Sequence, residues 1–332
     1  MVKSNIKGYQ RITSNIYYMI QIFNTFLKFR KAYSNGFYTF RSYLNNNTKI
    51  NVRLKNKASF IMSARATLLL AHLLNEKLNV DIKNDTITIK KESGMISEKE
   101  KIIFYNGIEN GDIYNIFIKN EYSILSFKGK IVVDIGTNIG DSAIYFALNG
   151  AKKIIGLEPF NNNYNLAKKN VMENSFEDKC EMVLAGCSGK SGSIKLNQKM
   201  KSDVDSKIEF SDEGEEVRLY SLDQIIKEFS IPIKSILKMD CEGCEYESII
   251  GSSKDTLRTF DEILLEYHHG YLDLKEKLET CGFYVSVTKP ISTGFLGKYL
   301  NMLVPNKEHG NSSQKQNLKP GYSGLIHASQ KY

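Results

Sequence analysis

Val132-Val133-Asp134-Ile135-Gly136-Thr137-Asn138-Ile139-Gly140-Asp141 decides how this chain is read. Ile131 to Ile135 is a short apolar run, of the length and β-branched make-up of a strand buried on both faces. It ends in Asp134 and Gly136, and Asn138 to Gly150 then has the character of a helix. Gly136 and Gly140 let the backbone bend tightly and let a ligand lie against the turn. A dinucleotide fingerprint reads G-x-G-x-x-G and seats a pyrophosphate on the helix N-terminus. Here the order is D-x-G-x-x-x-G, with acidic Asp134 where a diphosphate needs a neutral or positive wall. The loop suits a cationic nucleoside that carries an amino acid better than a diphosphate.

Three further apolar runs end in acid. Ile154-Ile155-Gly156-Leu157-Glu158 closes on a carboxylate about 20 residues past the loop, where folds of this kind hold a pair of ribose hydroxyls. Ile236-Leu237-Lys238-Met239 runs into Asp240, Glu242 and Glu245, and Ile263-Leu264-Leu265 runs into Glu266 and His268. Acidic strand ends gathered on one crevice are hard to explain by stability alone.

At these residues the chain resembles the FkbM-type family of S-adenosylmethionine-dependent methyltransferases. The matching stretches are VVDIGTNIGDS at 132–142, GLEPF at 156–160, SLDQII at 221–226, LKMDCEGCEYE at 237–247 and LLEYHH at 264–269. They fall in the family's order across roughly residues 100–332, and D-x-E-G-x-E is the most specific of them. The chain departs from the pattern at Cys241, where the family usually has an aliphatic residue, and at Cys244, where it has a small one.

The resemblance implies S-adenosylmethionine as cofactor and an O-methyltransferase as function. Gly136, Asn138 and Gly140 would make room for the cofactor, with Asp134 near its ammonium, directly or through water. Glu158 would accept both ribose hydroxyls, Phe160 would pack against the adenine, and an Ala185-Gly186-Cys187 turn would offer backbone groups to the adenine edge. Asp240 and Glu242 would stand beside the transferring methyl. His268 is the favoured base, since imidazole titrates near neutral pH, and Glu266 two residues earlier would share its face and position it or the substrate. His269 would face away. A variant with Mg²⁺ on Asp240, Glu242 and Glu266 is open but not favoured, and no residue is assigned to a metal.

At 332 residues the chain can bury one full α/β core and a second small unit. With 42% hydrophobic and 25% charged residues it has an ordinary globular composition. No run is long and apolar enough to span a bilayer, and no signal-peptide pattern is expected. The five cysteines read as reduced buried thiols rather than a disulfide framework. For Cys241-x-x-Cys244 packing is the first reading, with a reversible disulfide or a metal as alternatives.

Charge is uneven. Met1 to Asn75 carries twelve Lys or Arg and no acid, so the net +8 divides into a +12 segment and a −4 remainder. Such a segment points to an anionic partner, a membrane surface or nucleic acid. Ile12, Ile16, Met19, Phe23 and Phe26 recur at helical spacing over residues 8–33, either as an interfacial amphipathic helix or as one packed on the protein. A cytoplasmic location, peripheral at the inner face of the membrane, follows as the expectation.

The spacing predicts a second helix over Ser59–Asn75, a hairpin over 78–91 and another over 102–118. The expected organisation is a basic helical arm over 1–75, a hairpin-rich lead-in over 76–128 and a methyltransferase domain over 129–332. In that domain strands are expected at 131–135, 153–158, 180–185, 234–240, 260–266, 282–288 and 324–330, with helices in the first five gaps. This is an α/β, doubly wound, Rossmann-like seven-stranded sheet, whose last strand the resemblance makes antiparallel. Residues 188–220 read as a hairpin plus a mobile loop, and 291–321 as a flexible insertion.

The leading function is methylation of a hydroxyl on a sugar, glycoconjugate or secondary metabolite. A nucleic-acid (RNA) methyltransferase would also explain the basic arm, but MDCEG lacks the Asn/Asp-Pro-Pro-aromatic element of amino-methylating enzymes. A nicotinamide oxidoreductase would need the absent G-x-G-x-x-G loop, and a non-catalytic cofactor-binding scaffold would not need the acidic strand ends.

Overall fold

The computed structural model describes residues 19–20, 22–90, 99–108, 111–196, 214–292 and 322–330. These form two compact units. The first is built on the N-terminal segment up to Ile87 with Gly107–Tyr114, the second on Thr88–Asn106, Asn115–Ile291 and the last strand.

In the first unit residues 22–32 are helical and are followed by a helix over Gly36–Leu44. Phe29 is fully buried, with its ring 5.2 Å from Tyr43 and 5.6 Å from Phe40 and Tyr33. Tyr33 donates its hydroxyl to the Thr67 carbonyl at 2.6 Å. Of the predicted stripe, Met19 and Phe23 are exposed, while Phe26 is half-buried with its ring 5.3 Å from Phe40. The first half of the predicted 8–33 helix, up to residue 18, lies outside the described residues.

The predicted helix Ser59–Asn75 is corrected. Strand β1 (Ile50–Arg53) pairs antiparallel with β2 (Ser59–Met62), with Val52 opposite Phe60, and the helix covers Ala64–Asn75. Ser63 sets the boundary, because its hydroxyl accepts the Ala66 amide at 3.0 Å as a cap. The first predicted hairpin is present as β3 (Asn79–Asp81) and β4 (Thr86–Lys90), turned by Asp81, whose Oδ1 takes the Lys83 amide at 3.0 Å.

Among the described residues the second predicted hairpin is absent, and β5 (Lys101–Tyr105) instead pairs with β4. After β5 the chain makes a π-helical turn at Tyr114–Ile118. One edge of β5 is taken by side chains: Asn174 Oδ1 accepts the Ile103 amide at 2.9 Å and Asn170 Oδ1 that of Tyr105 at 2.8 Å. Those bonds leave no free ladder there for a returning strand.

The central sheet lies in the second unit. Its strands are β6 (Ile131–Ile135), β7 (Lys153–Glu158), β8 (Cys180–Cys187), β9 (Gly192–Leu196), β10 (Glu215–Tyr220), β11 (Ser235–Met239), β12 (Phe260–Tyr267), β13 (Phe283–Val287), β14 (Ile291–Ser292) and β15 (Tyr322–Gln330). The order is β13-β15-β12-β11-β6-β7-β8-β10-β9, with β14 pairing β15. β6, β7, β8, β11 and β12 run parallel, and β15 lies antiparallel between β12 and β13. All seven expected strands are present, and the last is antiparallel as expected.

β6, β7 and β11 are almost wholly buried because helices cover both faces of a parallel sheet. Helices over Asp141–Leu148, Asn161–Glu173, Leu222–Glu228, Cys244–Gly251 and Leu272–Thr280 make the crossovers, with a short one at Lys254–Arg258. The 188–220 region adds two strands beyond the expected seven, the antiparallel pair β9 and β10, which widens the sheet past β8. The loop predicted within it, at 197–213, and most of the 291–321 insertion, at 293–321, lie outside the described residues.

Candidate active site

The strand order reverses between β6 and β11, since β6 continues to β7 on one side and meets β11 on the other. In open α/β sheets the crevice at the carboxyl ends beside such a reversal is where ligands bind. Asp134 and Gly136 end β6, Glu158 ends β7, Asp240 follows β11, and Glu266 and His268 end β12. The topology therefore brings all the acidic strand ends to one edge.

Gly136 is fixed by packing. Its φ is +77°, and a Cβ there would stand 1.9 Å from the Asp240 carbonyl oxygen. Gly140, at φ +83°, abuts Ala167 on the Asn161–Glu173 helix, where a Cβ would sit 3.1 Å from its Cα. The glycines thus let the β6 loop fold between β11 and that helix. Between them Asn138 takes a left-handed φ of 48°, which asparagine tolerates.

Asp134 corrects an expectation. It is fully buried, paired with Lys238 Nζ at 2.9 Å and accepting the Ser142 hydroxyl at 2.6 Å, so it does not present its carboxylate to a ligand ammonium. Lys238 also donates to the Gly136 carbonyl at 3.0 Å. Burial works against the Lys238 charge, but attraction to Asp134, Asp240 and Asp141 outweighs it and holds the ammonium protonated. Asp134 and Lys238 face each other across β6 and β11, so this pair welds the two strands at the reversal.

Glu158 is also buried. One oxygen accepts the Asn138 amide and the other the Phe160 amide, both at 3.0 Å. Burial pushes its pKa up to about 7, against the pull of those two amides, the Lys238 charge and Asn163. The Asn138 and Phe160 amides therefore hold the two oxygens in place, one each. Asn163 in turn donates to Asn138 Oδ1 at 2.9 Å. In the same loop the Thr137 hydroxyl is buried with no partner among the described residues. A rigid carboxylate beside an unspent hydroxyl fits a nucleoside's ribose.

Phe160 packs its half-buried ring against Ile194, Leu196 and Val217 of β9 and β10, which makes it the floor of the β7 end. The Ala185 expectation is corrected. Ala185, Gly186 and Cys187 are not a turn but the end of β8, paired with Arg218, Leu219 and Tyr220 of β10. The added strand takes those backbone groups, and the Ala185 side chain lies in the core.

On the other side of the crevice stands the second cluster. His268 Nε2 lies 3.3 Å from Glu242 Oε2 and 3.8 Å from Glu266 Oε1, so Glu266 and His268 do share a face. Asp240, Glu266 and His268 each bring one ligand atom to within 4.8 Å of the others. His269 turns away toward Tyr246, whose hydroxyl accepts the His269 amide at 2.7 Å and donates to the Gly270 carbonyl at 2.6 Å.

The loop after β11 is held from within by Glu245. This fully buried side chain accepts the Cys241 amide at 2.8 Å and the Gly243 amide at 2.7 Å. Burial raises its pKa, against the His268 charge and the loop amides. Cys241 and Cys244 form a disulfide, so these two are not the reduced thiols expected, whereas Cys180, Cys187 and Cys281 are free and buried.

Lys238, Ser142, Thr137 and Glu245 carry parts of this arrangement without having been assigned one from sequence. Lys238 left a signal, because a lysine inside the buried run Ser235–Met239 needs a counter-charge.

A doubly wound sheet with acid-tipped strands at its reversal, the buried Glu158 carboxylate on one side and an acid–imidazole cluster on the other, defines a Rossmann-like class of protein. Residues 134–285, a little under half of the chain, match the family model for the methyltransferase FkbM domain. Uncharacterized protein 158B of Sulfolobus islandicus rod-shaped virus 1 is 32% identical over 124 residues, 37% of this chain and 54% of that protein. The chain thus matches about half the length of that relative. The methyltransferase FkbM from Methylobacillus flagellatus KT is 11% identical with a TM-score of 0.39, over 80% of this chain and 54% of that one. The METTL16 methyltransferase domain is 15% identical with a TM-score of 0.41, over 88% and 89%.

Proposed function

We propose that the chain is an S-adenosylmethionine-dependent O-methyltransferase whose acceptor is a hydroxyl of a sugar, glycoconjugate or secondary metabolite. The observation that carries this reading is the pairing of two chemistries at one strand reversal. Glu158 keeps both oxygens positioned for a diol, and His268 stands among Glu242, Glu266 and Asp240 on the adjoining strand ends. The FkbM domain match supports it.

When bound, S-adenosylmethionine supplies a methyl already activated on a sulfonium. Glu158 binds the ribose, and Gly136, Asn138 and Gly140 shape the loop over it, with Phe160 closing the adenine side. Asp134 acts through Lys238 by fixing that loop. Asp240 and Glu242 orient the reacting groups, His268 takes the hydroxyl proton on a ring nitrogen, and Glu266 positions His268. Asp240, Glu266 and His268 form a set able to hold a divalent ion such as Mg²⁺, but the transfer is proposed without one.

The N-terminal segment supports attachment to an anionic membrane surface. Exposed Met19, Ile20, Phe23, Phe37 and Tyr38 share it with Arg30, Lys31 and Arg41. No helix of the described residues is long and apolar enough to cross a membrane. The body would then work at the cytoplasmic face. The same cations favour RNA as a second reading of the acceptor.

The test is methyl transfer from radiolabelled S-adenosylmethionine to hydroxylated glycans and metabolites, with RNA in parallel and chelator throughout. Label on a hydroxyl, lost in His268→Ala, is the expected result. Label on RNA bases would replace the acceptor reading, and no cofactor binding at all would end it.

A further inference from the structure

Three of the five cysteines are buried and unpaired, and burial pushes the Cys180 and Cys187 thiols up to about 12, where they are inert. Cys241 and Cys244 differ. Both are part-exposed, they are joined to each other, and they stand where the family resemblance leads to an aliphatic and a small residue. We propose that Cys241 and Cys244 form a thiol–disulfide exchange site whose closed form fixes Glu242 beside His268, so that the redox state of the pair governs the acceptor-side base. This rests on the role given to His268 above.

The geometry gives the disulfide something to hold. Between the two cysteines lie Glu242 at φ 55° and Gly243 at φ 121°. Left-handed glutamate is an unfavoured conformation that persists only where its surroundings enforce it. Glu245 enforces it from below, through the Cys241 and Gly243 amides. The disulfide encloses the same two residues from the other side. What they hold in place is the Glu242 carboxylate, 3.3 Å from His268 Nε2. The groups facing that imidazole are Glu242 and Asp240 from the β11 end, Glu266 from β12 and, beneath them, Glu245. Of these, Glu242 sits inside the ring closed by the disulfide, so opening that ring loosens it first.

The exchange balances with a small-molecule disulfide as oxidant. A thiolate at Cys241 or Cys244 attacks one sulfur of oxidised glutathione and expels one glutathione thiolate. The second protein thiolate then attacks the mixed disulfide and expels the other. The two protons lost by the cysteines go to the two departing glutathiones, and two electrons pass from the protein thiols to glutathione.

The experiment equilibrates the full chain in glutathione buffers of stepped redox ratio. Thiol titration and intact mass are read first, and then the nuclear Overhauser contact between the Glu242 side chain and the His268 ring in the oxidised and reduced forms. Two thiols should appear together, with the mass of two hydrogens. The contact, expected from the 3.3 Å approach of the two side chains, should be present in the oxidised form and lost on reduction. Cys241→Val/Cys244→Ala, which carries residues of the family's type, should lack the contact in either buffer. Failure of the two thiols to exchange, or an unchanged contact in both forms, overturns the proposal. These readouts need no acceptor, so loss of the methyltransferase reading would show separately as absent cofactor binding with the redox-dependent contact intact.

Discussion

Replacing Lys238 with methionine isolates the weld between β6 and β11. The ammonium is buried, 2.9 Å from Asp134 Oδ1 and 3.0 Å from the Gly136 carbonyl, and methionine fills the space without the charge. Asp134 would keep only the Ser142 hydroxyl. Removing one partner of a buried ion pair costs about 3–5 kcal/mol, because the remaining charge stays desolvated. Against a native stability of about 5–15 kcal/mol this is a large share, and the melting temperature should fall by roughly 6–20 °C.

Asp134→Asn/Lys238→Met removes both charges and should recover most of the loss, since neutral replacements of a buried pair are often tolerated. Calorimetric and circular-dichroism melts of the three proteins at pH 5 and pH 8 make the measurement. A single variant within about 1 kcal/mol of the natural protein would refute the reasoning. So would a double variant no more stable than the single one.

Glu158→Ala should weaken S-adenosylmethionine binding by about 1.5–3 kcal/mol in calorimetry, and unchanged affinity in a folded variant would take Glu158 out of the site. Because burial lifts the Glu158 pKa to about 7, the ligand-free protein should lose stability as pH rises from about 4.5 through 7, a trend missing in Glu158→Gln. His268→Ala should lower turnover about 10²–10⁴-fold and remove the near-neutral limb of the pH–rate profile, whereas full activity would move the base to a carboxylate. In liposome co-sedimentation with anionic vesicles at low salt, the full chain should pellet and a form starting at Glu76 should not, each near-surface cation contributing about 1 kcal/mol.

What was legible in the sequence follows what is local. β6, β7, β11 and β12 are apolar because both faces are covered, so their extents could be read from composition. Their acidic ends could be read too: Glu158 closes β7, and Glu266 and His268 lie at the end of β12. The partners of those ends could not. Asp134 meets Lys238 only because β11 lies beside β6 in a register that brings the two residues level, which no local pattern encodes. The hairpin read over 188–220 is present as β9 and β10, but that β10 lies alongside β8 and takes the place of the expected turn at Ala185 is again encoded in no local pattern. Ser59–Met62 joined β1 rather than the following helix because a single serine cap outweighs the helical spacing that continues through it.

The placement of β15 has a consequence for how the chain is made. β13 ends at Val287, yet among the described residues its one sheet neighbour is β15, which begins at Tyr322. During synthesis β13 leaves the ribosome with no strand to pair with, and the outer edge of β12 stays open with Leu264 and Leu265 beside it. Glu262 meanwhile waits for His327, its partner at 2.8 Å in the finished sheet. A translational pause between these two strands would prolong the exposure of an open β-edge, which is the form of a nascent chain most prone to pair with its neighbours on a polysome.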